Sequence, residues 1–397
     1  MAYYQHILPS EAELLSQIIK KYKITFSVYY SSDFEEGLEE NIIIVNDNKI
    51  TGIILQFVEI SEIPIEFSYF RNLTILIIRN IPISAIPEEF FSLPITRFEI
   101  DYGNLTGSIP KAISKWKNLK ILNLHGNQIK SLPDELFDCS NLEFLSLWGN
   151  VIEQIPEKIS LLKNLKYLHI GMNSLTRLPS AIGSLSELKK FICSKNYLIN
   201  IPDTISKLIM LEELYIEENE LTALPDNIGL LSNLRIFHTF RNKLPFLPKS
   251  ITQLRNLETF YVHQNEFIKF PGEILSLVNI RDLDISYCGL RQIPEELDKL
   301  INLTRLWIDN NELKKIPDTI CKLIHLEGLN ISDNPLIELP NCLNNLENLK
   351  TLSMYYTINY YDPIIDLLEE NGVKVDQNCD IDEEIDFDDE NLDEFNE

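Results

Sequence analysis

From about residue 50 onward, leucine and isoleucine recur in a fixed frame, and particular polar residues recur with them. Leu119, Leu122 and Leu124 lead to Asn127, Ile129, Leu132 and Pro133, and the spacing returns at Leu142, Leu145, Leu147, Asn150, Ile152, Ile155 and Pro156. Thirteen of the nineteen prolines, from Pro64 to Pro340, fall at one interval of 23 residues. A period of this length predicts a solenoid, because each unit is too short to bury its own apolar face and must stack on its neighbours. Within a unit, Leu122 and Leu124 alternate with Ile121, Asn123 and His125 as in a short strand, so the leucines point inward and the residues between them outward. Asparagine follows where the chain turns in, and a buried amide there satisfies backbone groups that the bend leaves without partners. Asn127, Asn150, Asn173, Asn196, Asn219, Asn242, Asn265, Asn311 and Asn334 take this position, and Cys288 replaces it once. The proline opens the return segment, where no ladder bond needs its missing N–H.

This frame, L-x-x-L-x-L-x-x-N-x-L-x-x-L-P, resembles the leucine-rich repeats of the intracellular, Ras-associated class. The resemblance covers residues 50–357, about fourteen units. It implies an α/β fold: a right-handed, horseshoe-curved solenoid with a parallel sheet on its concave side. Strands about 4.8 Å apart make that sheet on the order of 60 Å long, a protein-sized surface. The resemblance also implies small GTPases, or their phosphatase and kinase partners, as candidate partners.

The flanks read differently. Residues 1–49 are expected to form an N-terminal cap: a helix opened by a capping box of Ser10 and Glu13, with Leu14, Leu15, Ile18 and Ile19 on one face. A hairpin follows, with Ile42–Val45 and Ile50–Leu55 about the turn-rich residues 46–49. The first units are irregular. Val58 and Ile81 stand in for asparagine, and one strand comes a residue early, at Ile95, Phe98 and Ile100. Residues 358–375 read as a C-terminal cap, with a helix started by Asp362 and Pro363 and stopped by Gly372. The remaining segment, 376–397, has twelve acidic residues and too little apolar content to pack, so disorder is expected.

Net charge is −25, of which −13 lies before that tail, so nucleic acid is an unsuitable partner for either part. No stretch is apolar and long enough to span a bilayer, and Met1–Ser10 lacks the features of a secretory signal. The six cysteines are scattered, and Cys193 and Cys288 sit at core positions as reduced thiols do. A cytoplasmic location and no membrane partner are the expectation. Four glycosylation sequons, at Asn72, Asn104, Asn302 and Asn330, read as structural positions of the repeat.

Removing the frame residues isolates the outward positions of the strands, and these are rich in aromatic and imidazole side chains. Trp148, Tyr167, His169, Tyr215 and His238 come first, followed by Phe240, Tyr261, His263, Tyr287 and Trp307, with Tyr355 and Tyr356 at the end. A solvated strand face has no packing reason to choose such groups, whereas interface hot spots favour Trp, Tyr and Arg. The competing reading is that aromatics suit β-structure and pack across neighbouring strands. Lys190, Lys195, Arg241 and Arg305 are interleaved with acidic residues, among them Glu217 and Asp284, and the later repeats lean acidic. A protein partner with a basic and apolar surface fits such a face.

Candidate chemistry is sparse. Glu217, His238 and His263 lie on consecutive units, but no metal-ligand spacing such as H-x-x-x-H or C-x-x-C accompanies them, so no metal is assigned. No P-loop, dinucleotide fingerprint, nucleophile elbow or kinase motif occurs, and no cofactor is implied. A carboxylate pair such as Glu213 and Glu217 on an open, shallow face lacks the water exclusion and pKa tuning that catalysis needs. The expected function is therefore a non-enzymatic scaffold that binds another protein on its concave face. The alternative is a substrate-recognition subunit or effector acting with a separate catalytic protein.

Overall fold

A computed structural model describes residues 7–31, 40–357 and 363–377. Helix α1 (Pro9–Tyr22) comes first, then strands β1 (Ser27–Tyr30), β2 (Ile42–Asn46) and β3 (Lys49–Gln56). Among the described residues, seventeen strands form one sheet that runs from β1 to Lys374–Asp376, and only the β2–β3 pairing is antiparallel. From Phe144 onward the register advances by one period per strand, so Tyr167 lies beside Lys190, Lys190 beside Glu213, and Glu213 beside Ile236. The early strand at Phe98 is accommodated without loss of register. Arg97 pairs with Ile75, one position short of a full period behind it, and with Ile121, one position beyond a full period ahead. The architecture is a leucine-rich-repeat solenoid.

The inward frame residues form one continuous core. Leu122, Leu145, Leu168, Leu214 and their counterparts are fully buried, and each proline is followed by a short 3-10 turn that carries one more apolar residue into it, such as Ile113 or Ile159. In the irregular first units phenylalanine takes over from leucine. Phe91 and Phe98 sandwich the indole of Trp116 at 4.7 and 4.8 Å, and its Nε1 donates to Phe90 O at 3.1 Å, which satisfies the one polar atom the ring brings inside.

The asparagine ladder explains the regular advance. Asn219 Nδ2 donates to Ile216 O and Glu217 O in its own unit and to Cys193 O in the preceding one, while its Oδ1 accepts from Leu198 N at 3.0 Å. The residue just before the ladder position is left-handed at every unit from Tyr102 to Tyr356, with φ between 48° and 66°. Glycine occupies this place at Gly126 and Gly149. Elsewhere Met172, Lys195, Glu218, Arg241, Gln264, Tyr287, Asn310 and Asp333 take a conformation that costs non-glycine residues on the order of 1–2 kcal/mol, held there by the bend.

One expectation for the N-terminal end needs correction. The capping box does not form: α1 begins at Pro9 after Leu8, and no side chain caps it. Glu11 is the acidic residue that matters, because its Oε2 accepts from Ile50 N at 2.8 Å and ties the helix to β3. At the other end, α2 (Pro363–Glu370) buries Ile364, Ile365 and Leu368. Asp362 and most of the expected acidic tail lie outside the described residues.

Candidate functional site

The outward side chains of the sheet stand in columns, because each lies beside its counterpart one unit away. One column holds Phe144, Tyr167, Lys190, Glu213, Ile236, Thr259, Asp282 and Arg305. A second holds Ser146, His169, Ile192, Tyr215, His238, Tyr261, Asp284 and Trp307. A third, two residues further along, carries Trp148, Gly171, Ser194, Glu217, Phe240, His263, Ser286 and Asp309. Backbone bonds join it to the left-handed column, as from Met172 N to Ser194 O and from Tyr287 N to Asp309 O.

Strand spacing is smaller than a ring is wide, so neighbouring aromatics overlap. Phe144 stacks on Tyr167 at 4.3 Å, His238 on Tyr261 at 4.5 Å and Phe240 on His263 at 4.2 Å. Edge contacts link His125 to Trp148, Tyr215 to His238 and Tyr261 to Trp307. Phe144, Tyr167, Ile192 and Tyr215 make an apolar cluster of their own on this face, separate from the leucine core.

This packing corrects the picture of freely exposed contact residues. Tyr215 and Tyr261 are only 7% exposed and Glu217 4%, and Tyr167, His169 and Phe240 are also buried. Truncating any of them removes packing as well as surface. Of the aromatic residues singled out from the sequence, two in the left-handed column stand open: Tyr287 is 50% exposed and Tyr356 66%. Trp148, His238, His263, Asp284 and Trp307 are half-buried.

Most charges on the face are paired across strands. Lys190 Nζ lies 3.0 Å from Glu213 Oε2 and 5.2 Å from the Tyr215 ring, whose hydroxyl donates to Glu213. Lys195 and Arg241 both face Glu218, and Arg305 makes two 2.7 Å bonds to Asp282. Further along, the pattern changes. His263 Nδ1 stands 2.9 Å from Asp284 Oδ2, and Asp309 and Asp333 both accept from the Asn310 amide.

Burial sets the protonation states here. Desolvation lowers the imidazoles of His125 to about 4 and of His169 and His238 to about 3, so all three are neutral at physiological pH. Desolvation raises Asp309 to about 6, with the nearby Asp284 adding to it. Among the described residues no group of three or more His, Cys, Asp or Glu side chains is arranged to hold a metal ion.

The cysteines are divided. Cys139, Cys193 and Cys288 are free and buried. Cys321 and Cys342, read from the sequence as scattered thiols, form a disulfide between successive return turns on the convex side. Sequence reasoning also missed Phe144, although it shares a column with Tyr167. It missed the left-handed column too, for which Gly126 and Gly149 were the available signal.

The comparisons with known proteins agree with this architecture. A family model described as "Leucine-rich repeat region" matches residues 101–197 and 271–370. A leucine-rich-repeat protein of Leptospira interrogans is 27% identical, with a TM-score of 0.76 over 83% of this chain and 90% of its own. A TDR receptor is 26% identical, with a TM-score of 0.68 over 83% of this chain and 63% of its own. The ectodomain of the Arabidopsis thaliana receptor kinase GASSHO1/SCHENGEN3, solved in complex with Casparian strip integrity factor 2, is 25% identical, with a TM-score of 0.55 over 85% of this chain and 47% of its own. No curated protein matches the chain in sequence. The chain has the leucine-rich-repeat fold, and that family's model matches two stretches of it. Among its described residues, no helix is long and apolar enough to cross a membrane.

Proposed function

We propose that this chain is a non-enzymatic binding scaffold that holds another protein against its concave face. The observation that carries the reading is the apolar cluster of Phe144, Tyr167, Ile192 and Tyr215 on the outer side of the sheet, which the leucine core does not require. Continued by His238, Tyr261 and Trp307, it forms an aromatic rail with Tyr287 and Tyr356 open beside it. Large, rigid, amphipathic groups of this kind supply contact area at little entropic cost. The bound factor of the GASSHO1/SCHENGEN3 ectodomain supports the reading by analogy of fold.

Small GTPases and their regulators are the partner class we propose from the Ras-type repeat frame. A cytoplasmic location rests on the buried thiols, and the Cys321–Cys342 bond argues the other way. Labelling of thiols in freshly lysed cells decides between the two. The scaffold reading is tested by affinity capture from native lysate with the wild type beside a Tyr287→Ala/Trp307→Ala variant of unchanged melting temperature. Identical captured proteins from both move the site to the convex side or the N-terminal cap.

A further inference from the structure

We propose that the C-terminal third of the concave face docks a short, extended, basic segment of a partner protein, with Lys or Arg side chains reaching Asp309 and Asp333 beside Tyr287 and Trp307. This deepens the scaffold reading and rests on it.

Ion pairing along the sheet is asymmetric. Up to Arg305, the concave cations Lys190, Lys195, Arg241 and Arg305 each lie against a carboxylate one unit away. Past Arg305 the carboxylates of Asp309 and Asp333 have the Asn310 amide and, among the described residues, no Lys or Arg within ion-pair distance. Asp309 is 8% exposed, and its neighbours in the third column are the small Ser286 and Ser332. A carboxylate held in such a place gains most from a cation, because water screens the pair little.

Asp284, Asp309 and Asp333 step diagonally across three successive units. From strand spacing and rise they are about 8 Å and then about 6 Å apart, close to the roughly 6.7 Å between alternate residues of an extended chain. They do not converge as the ligands of one ion would. Spread carboxylates suit spread cations, as a peptide with alternating basic residues presents them. The open ring of Tyr287 and the half-buried indole of Trp307 flank the acidic line, and the guanidinium of Arg305 already lies over that indole at 5.7 Å. Both rings offer faces for a second cation. Burial, together with the fields of Asp309, Asp333 and Asp284, raises the Tyr287 phenol. The chain's own residues 378–397 carry no Lys or Arg and are excluded as occupant by like charge. Nucleic acids and anionic lipid are excluded for the same reason.

The test uses the full chain and two fluorescein-labelled twelve-residue peptides, one alternating Arg with Leu and the other Glu with Leu, at two salt concentrations. Three proteins are compared: wild type, Asp309→Asn/Asp333→Asn, and a control with the same charge change on the exposed convex residues, Glu295→Gln/Glu296→Gln. Circular dichroism melts establish that all three are folded. The expected result is binding of the Arg peptide alone, weakened ten-fold or more by the Asp309/Asp333 pair and less than three-fold by the convex pair. Equal weakening by both pairs, or no binding to wild type, overturns the proposal. Hydrogen-exchange footprinting separates the two readings. Protection confined to strands before 259 refutes this inference and leaves the scaffold reading intact. Protection on the convex turns refutes both.

Discussion

Cys288 is the single break in the asparagine ladder between Asn127 and Asn334, and restoring the amide should stabilise the protein. At an ordinary rung the side chain donates to three carbonyls and accepts one backbone N–H, as Asn219 does from Leu198. The Cys288 thiol manages two weak contacts, 3.2 Å to Ser286 O and 3.7 Å to Val262 O. It has no counterpart to Oδ1, so the N–H of buried Phe267, at the place Leu198 holds relative to Asn219, lacks the acceptor that Leu198 enjoys. The carbonyls concerned already have amides to accept from, Val262 O from Asn265 and Ile285 O from Asn311, so the gain from new donors is small. The main gain is the Phe267 N–H, and satisfying a buried donor is worth about 1–3 kcal/mol. Ordering the asparagine and removing a buried thiol take back part of this, which leaves about 1–2 kcal/mol for Cys288→Asn. Urea unfolding of wild type, Cys288→Asn and the mirror substitution Asn219→Cys measures it, with hydrogen exchange at 262–290 as the local readout because repeat arrays depart from two-state behaviour. A Cys288→Asn protein that is less stable than wild type, with its amide seated in the ladder, refutes the reasoning.

Other outcomes follow from the face and the convex turns. His125, His169 and His238 have lowered folded values, so the unfolded chain binds more protons than the folded one between about 6.5 and about 3, and stability should fall as pH drops through that window. Asp309, raised to about 6, acts with the opposite sign between its unfolded value and 6, so His169→Gln should flatten the acid limb of a stability-versus-pH curve and Asp309→Asn should steepen it. Tyr215→Ala should cost about 2–4 kcal/mol in denaturant melts, because the ring packs on His238 and under Lys190, whereas Tyr287→Ala should stay within about 0.5 kcal/mol of wild type. Equal losses from the two would remove the distinction between packed and presented tyrosines. Reducing Cys321–Cys342, which closes a separation of 21 residues, should destabilise the last repeats by about 3 kcal/mol. The readout is faster amide exchange over 343–376 with the strands before 259 unchanged, and alkylation mapped to Cys321 and Cys342 in the untreated protein would contradict the bond itself.

The solenoid was readable because its signal is local: Leu122, Leu124 and Asn127 declare a strand and a bend in one short stretch, and the period repeats the declaration. The identity of the outward residues followed from the same alternation. Their exposure did not, since Tyr167 is covered by Phe144 from another unit, and burial on this face depends on pairs one full repeat apart whose ring overlap the alternation does not encode. The left-handed column stayed hidden because most of its occupants are residues that avoid this conformation when the bend does not impose it. The disulfide was missed because Cys321 and Cys342 stand 21 residues apart, off the period, on return turns whose sequences vary freely between units.

The ladder has a consequence for how such a chain changes length. The side-chain bonds of each asparagine stay within its own unit or reach the one before it, as those of Asn219 do to Ile216, Glu217, Leu198 and Cys193. Excising or duplicating one whole unit anywhere between Asn127 and Asn265 therefore leaves every rung with a full set of partners and disturbs only a single seam. What it alters is the order of side chains along the columns: removing the unit of Asn196, for instance, sets Tyr215 directly beside His169. Gene-level slippage by one unit thus rearranges the face while leaving the bonding pattern of the ladder unchanged.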